Sequence, residues 1–134
     1  AGCGSGLPGA AACDGVSRQP ENNGMLMVNM LIAQAVTQTA VIFALVVSFL
    51  LIFQNSSDSL VRVAALLSAG ISMGFGAVGP GLGSGLAGQG ALEMMGRYKK
   101  EKPGLLRTML LGQSVAQSTA IYAMVVAFIL IFVA

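Results

Sequence analysis

Two glutamines, Gln38 and Gln117, lie in the middle of long apolar stretches of this chain. Hydroxyl-bearing residues stand beside them, since Thr37 and Thr39 flank the first and Ser118 follows the second. Side-chain amides and hydroxyls can bind an ion or a hydrogen-bonding group, but in an apolar environment a polar group without partners is costly. The two glutamines are therefore expected either to hold helices together or to bind a ligand.

Both glutamines belong to one internal repeat. The segment MLIAQAVTQTAVIFALVVSFLLIF, from Met30, returns 79 residues later as MLLGQSVAQSTAIYAMVVAFILIF, from Met109. The same shift aligns the glycine-rich start of the chain with the stretch GLGSGLAG that begins at Gly81. A repeat of this length in so apolar a chain indicates two copies of one membrane-embedded unit, which pack against each other.

The composition is that of a membrane protein, because 55% of the 134 residues are apolar and 9% are charged. Residues 30–53 and 108–134 carry no formal charge. At about 1.5 Å per residue, each is long enough to cross a hydrocarbon core of about 30 Å. Cys3 and Cys13 lie ten residues apart in a chain without His, so no metal site is expected from them. Nor does the sequence contain a nucleophile and base set, and we expect a non-catalytic chain.

The hydropathy pattern predicts an all-α membrane protein made of two tandem transmembrane helical hairpins, residues 1–55 and 56–134. By the repeat, the counterpart of the helix start at Ser59 would precede Ala1, so we expect the first helix to be incomplete at its N-terminus. Pro80 should bend the third helix, because it lacks a backbone N–H and its ring crowds the previous turn. The first predicted helix runs to about Ser17, and the second follows the polar turn Arg18 to Gly24 and ends at Phe53. The third runs from about Ser59 to Arg97, and the fourth follows the loop Tyr98 to Gly104 and runs to the C-terminus.

Positive charge predicts the orientation in the membrane. Six of the seven basic residues lie in or beside two polar segments, 18–24 and 97–107, which by the positive-inside rule face the cytoplasm. Because this charge belongs to loops rather than to one basic face, the net charge of +2 gives no support to nucleic-acid binding. Asp14 and Glu93 each precede an arginine by four residues, which predicts an ion pair at the end of each hairpin's first helix.

Glycines recur at a spacing of four in the second hairpin, with Gly79 and Gly83, and Gly81 and Gly85, one helical turn apart. In lipid, small residues on one helix face let two backbones approach closely. A phosphate-binding loop is the alternative, but no Gly-Lys-Ser/Thr follows and no strand precedes. The glycines therefore predict close helix packing.

These motifs resemble those of the c subunit, or proteolipid, of rotary ATP synthases. The resemblance rests on a first helix with GPGLGSGLAG, a polar loop of Arg-Gln-Pro-Glu type that starts at Arg18, and a second helix with MLLGQSVAQSTAIY. The fused double hairpin resembles the vacuolar-type proteolipid, whereas the loop and outer-helix motifs are closer to the F-type. This mixture is similar to the duplicated subunits found among single-hairpin c subunits in some sodium-translocating rotor rings.

The resemblance implies a multi-pass protein of a bacterial inner membrane that stands with other c subunits in a ring, first helices inside and second helices outside. The outer helices contact lipid, and a carboxylate on them binds H⁺ or Na⁺, the coupling ion, and meets an arginine of the stationary a subunit. No other cofactor is implied. The polar loops contact the central stalk subunits, here through Arg18, Gln19, Pro20, Glu21 and Arg97.

Matched by position, the ion-binding carboxylate of the family falls on Gln38 and Gln117, so it is absent from both copies. In sodium-type relatives a first-helix glutamine, a backbone carbonyl and a hydroxyl also hold the ion, a threonine holds a water, and a tyrosine supports the site. The first-helix glutamine matches Ser5 and Ser84, the carbonyl matches Val36 and Val115, and the hydroxyl matches Thr39 and Ser118. The threonine matches Thr119 and the tyrosine matches Tyr122. The last two become Ala40 and Phe43 in the first copy.

A neutral amide releases no proton and brings no negative charge to offset the dehydration of Na⁺. We therefore expect a rotor-ring subunit whose two hairpins turn without loading an ion, while other hairpins carry the carboxylate. One alternative is a weak Na⁺ site at Gln117 with Ser84, Ser118 and Thr119. Others are a vacuolar-type proteolipid, a membrane scaffold unrelated to rotation, and glutamines introduced by engineering to mimic a protonated carboxyl.

Overall fold

The computed structural model describes residues 1–54, 59–98 and 102–133, which contain no β-strand. A short 3₁₀ turn, Pro20–Asn22, joins the first two helices. The predicted all-α fold is confirmed. The α-helices are α1 (Gly2–Arg18), α2 (Asn23–Phe53), α3 (Leu60–Gly76), α4 (Val78–Arg97) and α5 (Lys102–Val133).

Three stretches of this fold are long and apolar enough to cross a membrane: Pro20–Phe53, Leu60–Arg97 and Lys102–Val133. Large apolar side chains on them, such as Phe49 and Phe132, remain exposed in the isolated chain. Such exposure suits helices whose outer faces meet lipid tails instead of water. The chain is thus a membrane protein, as its composition predicts. The predicted boundary between residues 55 and 56 lies outside the described residues.

The third predicted helix is divided at Ala77, so α3 and α4 replace one helix from Ser59 to Arg97. The break lies one turn before Pro80, whose missing N–H leaves the carbonyl of Gly76 without its usual helical partner. The distortion expected at the proline is therefore found three residues earlier. At the start of α3, the Ser59 hydroxyl caps the helix by accepting from the backbone N–H of Arg62 at 3.4 Å.

One of the two predicted ion pairs forms. Arg18 Nε donates to the Asp14 carboxylate at 2.9 Å. The pair expected between Glu93 and Arg97 is wrong, because the Glu93 carboxylate accepts instead from Gln89 Nε2 at 3.1 Å. Gln89 lies one turn back on α4 and is half-buried, whereas Arg97 ends the helix and is exposed.

The two hairpins, α1 with α2 and α3 with α4 and α5, pack side by side, and we call the surface between them the internal seam. Across it α1 lies along α4, while α2 contacts both α4 and α5. Two clusters of buried apolar side chains fill the fold, one near the polar loops and one near the opposite end. The first includes Leu26, Leu92, Met95 and Met109, and the second includes Val47, Met73 and Ile131.

Glycines let α1 and α4 meet backbone to backbone. A Cβ on Gly4 would overlap the carbonyl of Gly81, and a Cβ on Gly85 would overlap Gly4. Nearer the loops, a Cβ on Gly96 would lie 2.7 Å from the Cα of Gly15. Any side chain at these positions would push the helices apart, so the predicted packing role of Gly81 and Gly85 is confirmed. The same prediction for Gly79 is wrong within the described chain, where a Cβ added to it would meet nothing within 4 Å.

Candidate functional site

Gln117 lies on α5 and points into the internal seam, with 8% of its surface exposed. Its Nε2 donates to the backbone carbonyl of Val36, on α2 of the other hairpin, at 3.1 Å. The same nitrogen donates to the hydroxyl of Ser84, on α4, at 3.2 Å. One amide group therefore ties three helices together near the middle of the fold.

The carbonyl of Val36 accepts more than its helical hydrogen bond. The Thr39 hydroxyl donates to it at 2.8 Å, in addition to Gln117 Nε2. A carbonyl oxygen has two lone pairs and can serve several donors that approach from different sides. Thr39 and Gln117 thus share one acceptor, and the first hairpin presents the carbonyl of Val36 to the amide of the second.

Ser84 is fully buried and serves both glutamines of α5. Its hydroxyl donates to the carbonyl of Pro80 at 2.6 Å and accepts from Gln117. Its own carbonyl accepts from Gln113 Nε2 at 3.0 Å, and Gln113 also donates to the carbonyl of Ala33, across the seam, at 3.2 Å. Gln113 is a site residue that the resemblance does not supply, although its spacing of four from Gln117 places it on the same helix face.

The two amide oxygens, Gln113 Oε1 and Gln117 Oε1, are buried and lack a hydrogen-bond partner among the described residues. Leaving such a buried acceptor unpaired costs about 1–3 kcal/mol. In both side chains the nitrogen, not the oxygen, faces the convergent oxygens of α2 and α4. The N–H hydrogens thus occupy the place where a cation would have to sit among the oxygens of Val36 and Ser84.

The first copy of the site is open. Gln38 is exposed, and its side chain forms no hydrogen bond with any described residue. Gln34 Nε2 donates to the carbonyl of Ser5 at 3.1 Å, which repeats the bond of Gln113 to Ser84. The hydroxyl of Ser5 donates to the carbonyl of Gly2 instead of meeting an amide. The first copy therefore reproduces the bond within a hairpin but not those between hairpins.

The remaining residues expected around Gln117 face the outer side of the second hairpin. Val115 is 73% exposed and Tyr122 is 67% exposed. The Ser118 hydroxyl donates to the carbonyl of Val115 at 2.7 Å, and the Thr119 hydroxyl donates to the carbonyl of Ala116 at 3.0 Å. Of the residues expected to bind Na⁺ with Gln117, only Ser84 contacts the Gln117 amide. The carbonyl that accepts from this amide belongs to Val36 of the neighbouring hairpin and not to Val115.

The polar loop residues lie together at one end of the fold. Gln19 Nε2 donates across the seam to the carbonyl of Gly96 at 2.8 Å. The side chains of Arg18, Pro20, Glu21 and Arg97 are exposed around this bond. Within the described part of the chain, no three His, Cys, Asp or Glu side chains lie close enough to hold a metal ion.

Comparison with known proteins gives the family. The model of the ATP synthase C subunit family matches residues 1–51 and 67–130. The ATP synthase c subunit of Dehalococcoides mccartyi strain BAV1 is 47% identical over 72 residues, which are 54% of this chain and 95% of that protein. The corresponding protein of Alkaliphilus oremlandii is 45% identical over 77 residues, 58% of this chain and 86% of that protein.

A third relative, from Petrotoga mobilis, is 47% identical over 68 residues, 51% of this chain and 71% of that protein. About half of this chain thus matches most of each relative, as expected if two copies are fused. The family match covers the larger part of both hairpins, including the segments that contain Gln38 and Gln117. This chain belongs to the ATP synthase C subunit family.

Proposed function

We propose that the chain is a rotor-ring subunit of the membrane sector of a rotary ATP synthase, and that its two hairpins turn with the ring without carrying an ion. The observation that supports this most is the amide of Gln117. At the position that the resemblance assigns to the carboxylate, both N–H hydrogens are used by Val36 and Ser84. The side chain of Gln117 itself therefore closes this site.

The physical consequence is a site with a fixed charge of zero. A carboxyl group can exchange a proton or Na⁺, but an amide has no proton to release near neutral pH and no charge to offset ion dehydration. An amide that donates to a carbonyl resembles the protonated carboxyl, which also donates to an acceptor. A ring with such a chain would carry two fewer ions per turn than its number of hairpins.

The partners follow from the family and the exposed surfaces. Other c subunits would stand beside the chain in the ring and supply the carboxylates that bind H⁺ or Na⁺, and the stationary a subunit would meet these carboxylates. The exposed loop residues Arg18, Pro20, Glu21 and Arg97 would face the central stalk on the cytoplasmic side of a bacterial inner membrane. The chain itself would be non-catalytic and need no cofactor.

The test is the composition and ion content of the intact ring. The synthase is purified through a tag on a catalytic subunit, and its ring is released and weighed by native mass spectrometry. We expect this chain in the ring, together with carboxylate-bearing hairpins, and a bound-ion count per ring below the hairpin count by two for each copy. A chain found only outside the synthase would contradict the rotor assignment, and an ion at Gln117 would contradict the inert site.

A second candidate is a weak Na⁺ site that uses the amide oxygens. It is favoured by the two buried oxygens without partners among the described residues, Gln113 Oε1 and Gln117 Oε1. For these to bind Na⁺, the Gln117 amide would have to turn its oxygen towards Val36 and Ser84. The test is the temperature at which the ring dissociates. A temperature that is raised by Na⁺ but not by K⁺, with no such response in Gln117→Leu, would support this candidate.

A further inference from the structure

Gln19 forms two hydrogen bonds for which its expected place on the stalk-contact surface gives no reason. The residue lies just after α1 and is half-buried. Its Nε2 donates at 2.8 Å to the carbonyl of Gly96, on α4 of the other hairpin. Its Oε1 accepts from Asn22 Nδ2 at 3.0 Å. Both ends of this amide are therefore engaged inside the chain.

The reach of Gln19 follows from the close contact between α1 and α4. Gly15, in the last turn of α1, lies so near Gly96 that a Cβ on Gly96 would come within 2.7 Å of its Cα. A residue that precedes proline is disfavoured in the helical region, so Pro20 helps to end α1 at Arg18. The side chain of Gln19 then extends from the end of one helix to the end of the other.

The hydrogen bond to Gly96 satisfies a carbonyl at the end of α4. Gly96 is in the last turn of this helix, where the final four carbonyls have no partner within the helix. These carbonyls form the negative end of the helix dipole, so an N–H donor or a cation is favourable there. Because Asn22 belongs to the 3₁₀ turn Pro20–Asn22, the Gln19 amide also fastens that turn to α4.

The second hairpin lacks an equivalent link among the described residues. By the shift of 79 residues, Gln19 corresponds to Tyr98. Tyr98 is 59% exposed, and its side chain forms no hydrogen bond with any residue that the structure describes. A phenol has one polar atom, so it cannot replace an amide whose nitrogen and oxygen point to different partners. The fastened turn is thus a feature of the first hairpin.

From these contacts we infer that Gln19 is a positioning residue for the central stalk and not a contact to it. Gln19 holds the turn Pro20–Asn22 against α4, so that the exposed Pro20 and Glu21 meet the stalk in a fixed orientation. The inference rests on the proposed rotor function and assigns a role within it. A turn that is already held in place loses less conformational freedom when a partner binds, so the partner binds more tightly.

Two substitutions separate the N–H donor from the rest of the amide. Gln19→Glu keeps the size of the side chain and an acceptor for Asn22, but it offers no N–H to Gly96 and places a carboxylate at the negative end of α4. Gln19→Lys restores an N–H donor that can reach the same carbonyl, where a cation is favourable. Tyr98→Glu introduces the same residue at the matching position of the second hairpin and is the control.

Hydrogen exchange of the full chain in lipid nanodiscs tests the link itself. In Gln19→Glu we expect the backbone amides of residues 19–23 to exchange up to about fivefold faster than in the parent, the factor that corresponds to the loss of one hydrogen bond. Gln19→Lys and Tyr98→Glu should keep the parent rate. Unchanged exchange in Gln19→Glu, or an equal increase in Tyr98→Glu, would overturn the inference.

Binding of the catalytic sector tests the role at the stalk. Membranes that contain the ring are stripped of this sector and titrated with the purified sector and its stalk. We expect the Kd to rise by up to about fivefold in Gln19→Glu and to stay unchanged in Gln19→Lys. Equal weakening in both variants would indicate direct contact and overturn the inference, as would faster exchange without weaker binding.

Failure of the proposed function gives a different result. A chain that is absent from the purified synthase would overturn the rotor assignment, and with it the role at the stalk, before any titration. A chain that is present in the synthase, with binding that does not depend on the donor at residue 19, would overturn only the positioning role.

Discussion

Gln117 of the second hairpin donates a hydrogen bond to the backbone carbonyl of Val36 of the first, at 3.1 Å. The residue that the resemblance places at the ion position therefore takes one of its acceptors from the other hairpin. The same relationship explains why Gln38 is exposed in the single chain, since no hairpin stands on that side to offer a carbonyl. One site is closed within the chain and the other is open to a neighbour.

Restoring the charge should restore a reactive site. Gln117→Glu places a carboxyl between the carbonyl of Val36 and the hydroxyl of Ser84, where it can be protonated or bind Na⁺. We expect dicyclohexylcarbodiimide to add one reagent mass to the α5 peptide of the variant, measured by mass spectrometry, and nothing to the parent peptide. An unreactive variant would contradict an ion-sized site at the seam. Gln38→Glu is the matched control on the open side, where the label should depend on assembly.

The hydroxyl of Ser84 should matter more than that of Ser5. Ser84→Ala removes an acceptor from Gln117 Nε2 and leaves one buried N–H without a partner. We expect the free energy of unfolding in detergent to fall by about 1 kcal/mol. In Ser5→Ala the lost hydroxyl bonded only to the carbonyl of Gly2, so the fall should stay within about 0.5 kcal/mol. Both free energies are measured by titration with a denaturing detergent. Equal losses in the two variants would show that the bond between Gln117 and Ser84 adds nothing to stability.

The architecture follows from the sequence more readily than the site does. Uncharged runs and a 79-residue repeat suffice to predict two helical hairpins, because the length of a span and the presence of a repeat depend only on the order of the residues. Which helix supplies the acceptor for Gln117 depends on how two hairpins pack, and periodicity specifies a helix face but not its neighbour. The same limit explains the Glu93 error, since spacing allowed a pair with Arg97 but packing turned the carboxylate towards Gln89.

Gln113 should stabilise the fold more than Gln34, its counterpart in the first copy. Gln113→Ala removes two hydrogen bonds that join α5 to α4 and α2 and leaves a small cavity. We expect a loss of about 2 kcal/mol in the free energy of unfolding. Gln34→Ala, at the matching position of the first copy, removes one bond from a half-buried side chain and should cost no more than about 1 kcal/mol. The free energies of unfolding of both variants are measured in the same detergent. A larger loss in Gln34→Ala than in Gln113→Ala would contradict the prediction.

The close approach of α1 and α4 predicts opposite effects for two glycines of one helix. Gly85→Ala places a methyl group where the backbone of Gly4 lies, so the hairpins must separate. We expect a loss of about 1–3 kcal/mol in the free energy of unfolding, because overpacking forces the backbone to shift. Gly79→Ala meets nothing within 4 Å and should be neutral or stabilise the helix by up to about 1 kcal/mol. Urea or detergent titration followed by circular dichroism measures both, and a neutral Gly85→Ala would show that α1 and α4 are not in backbone contact.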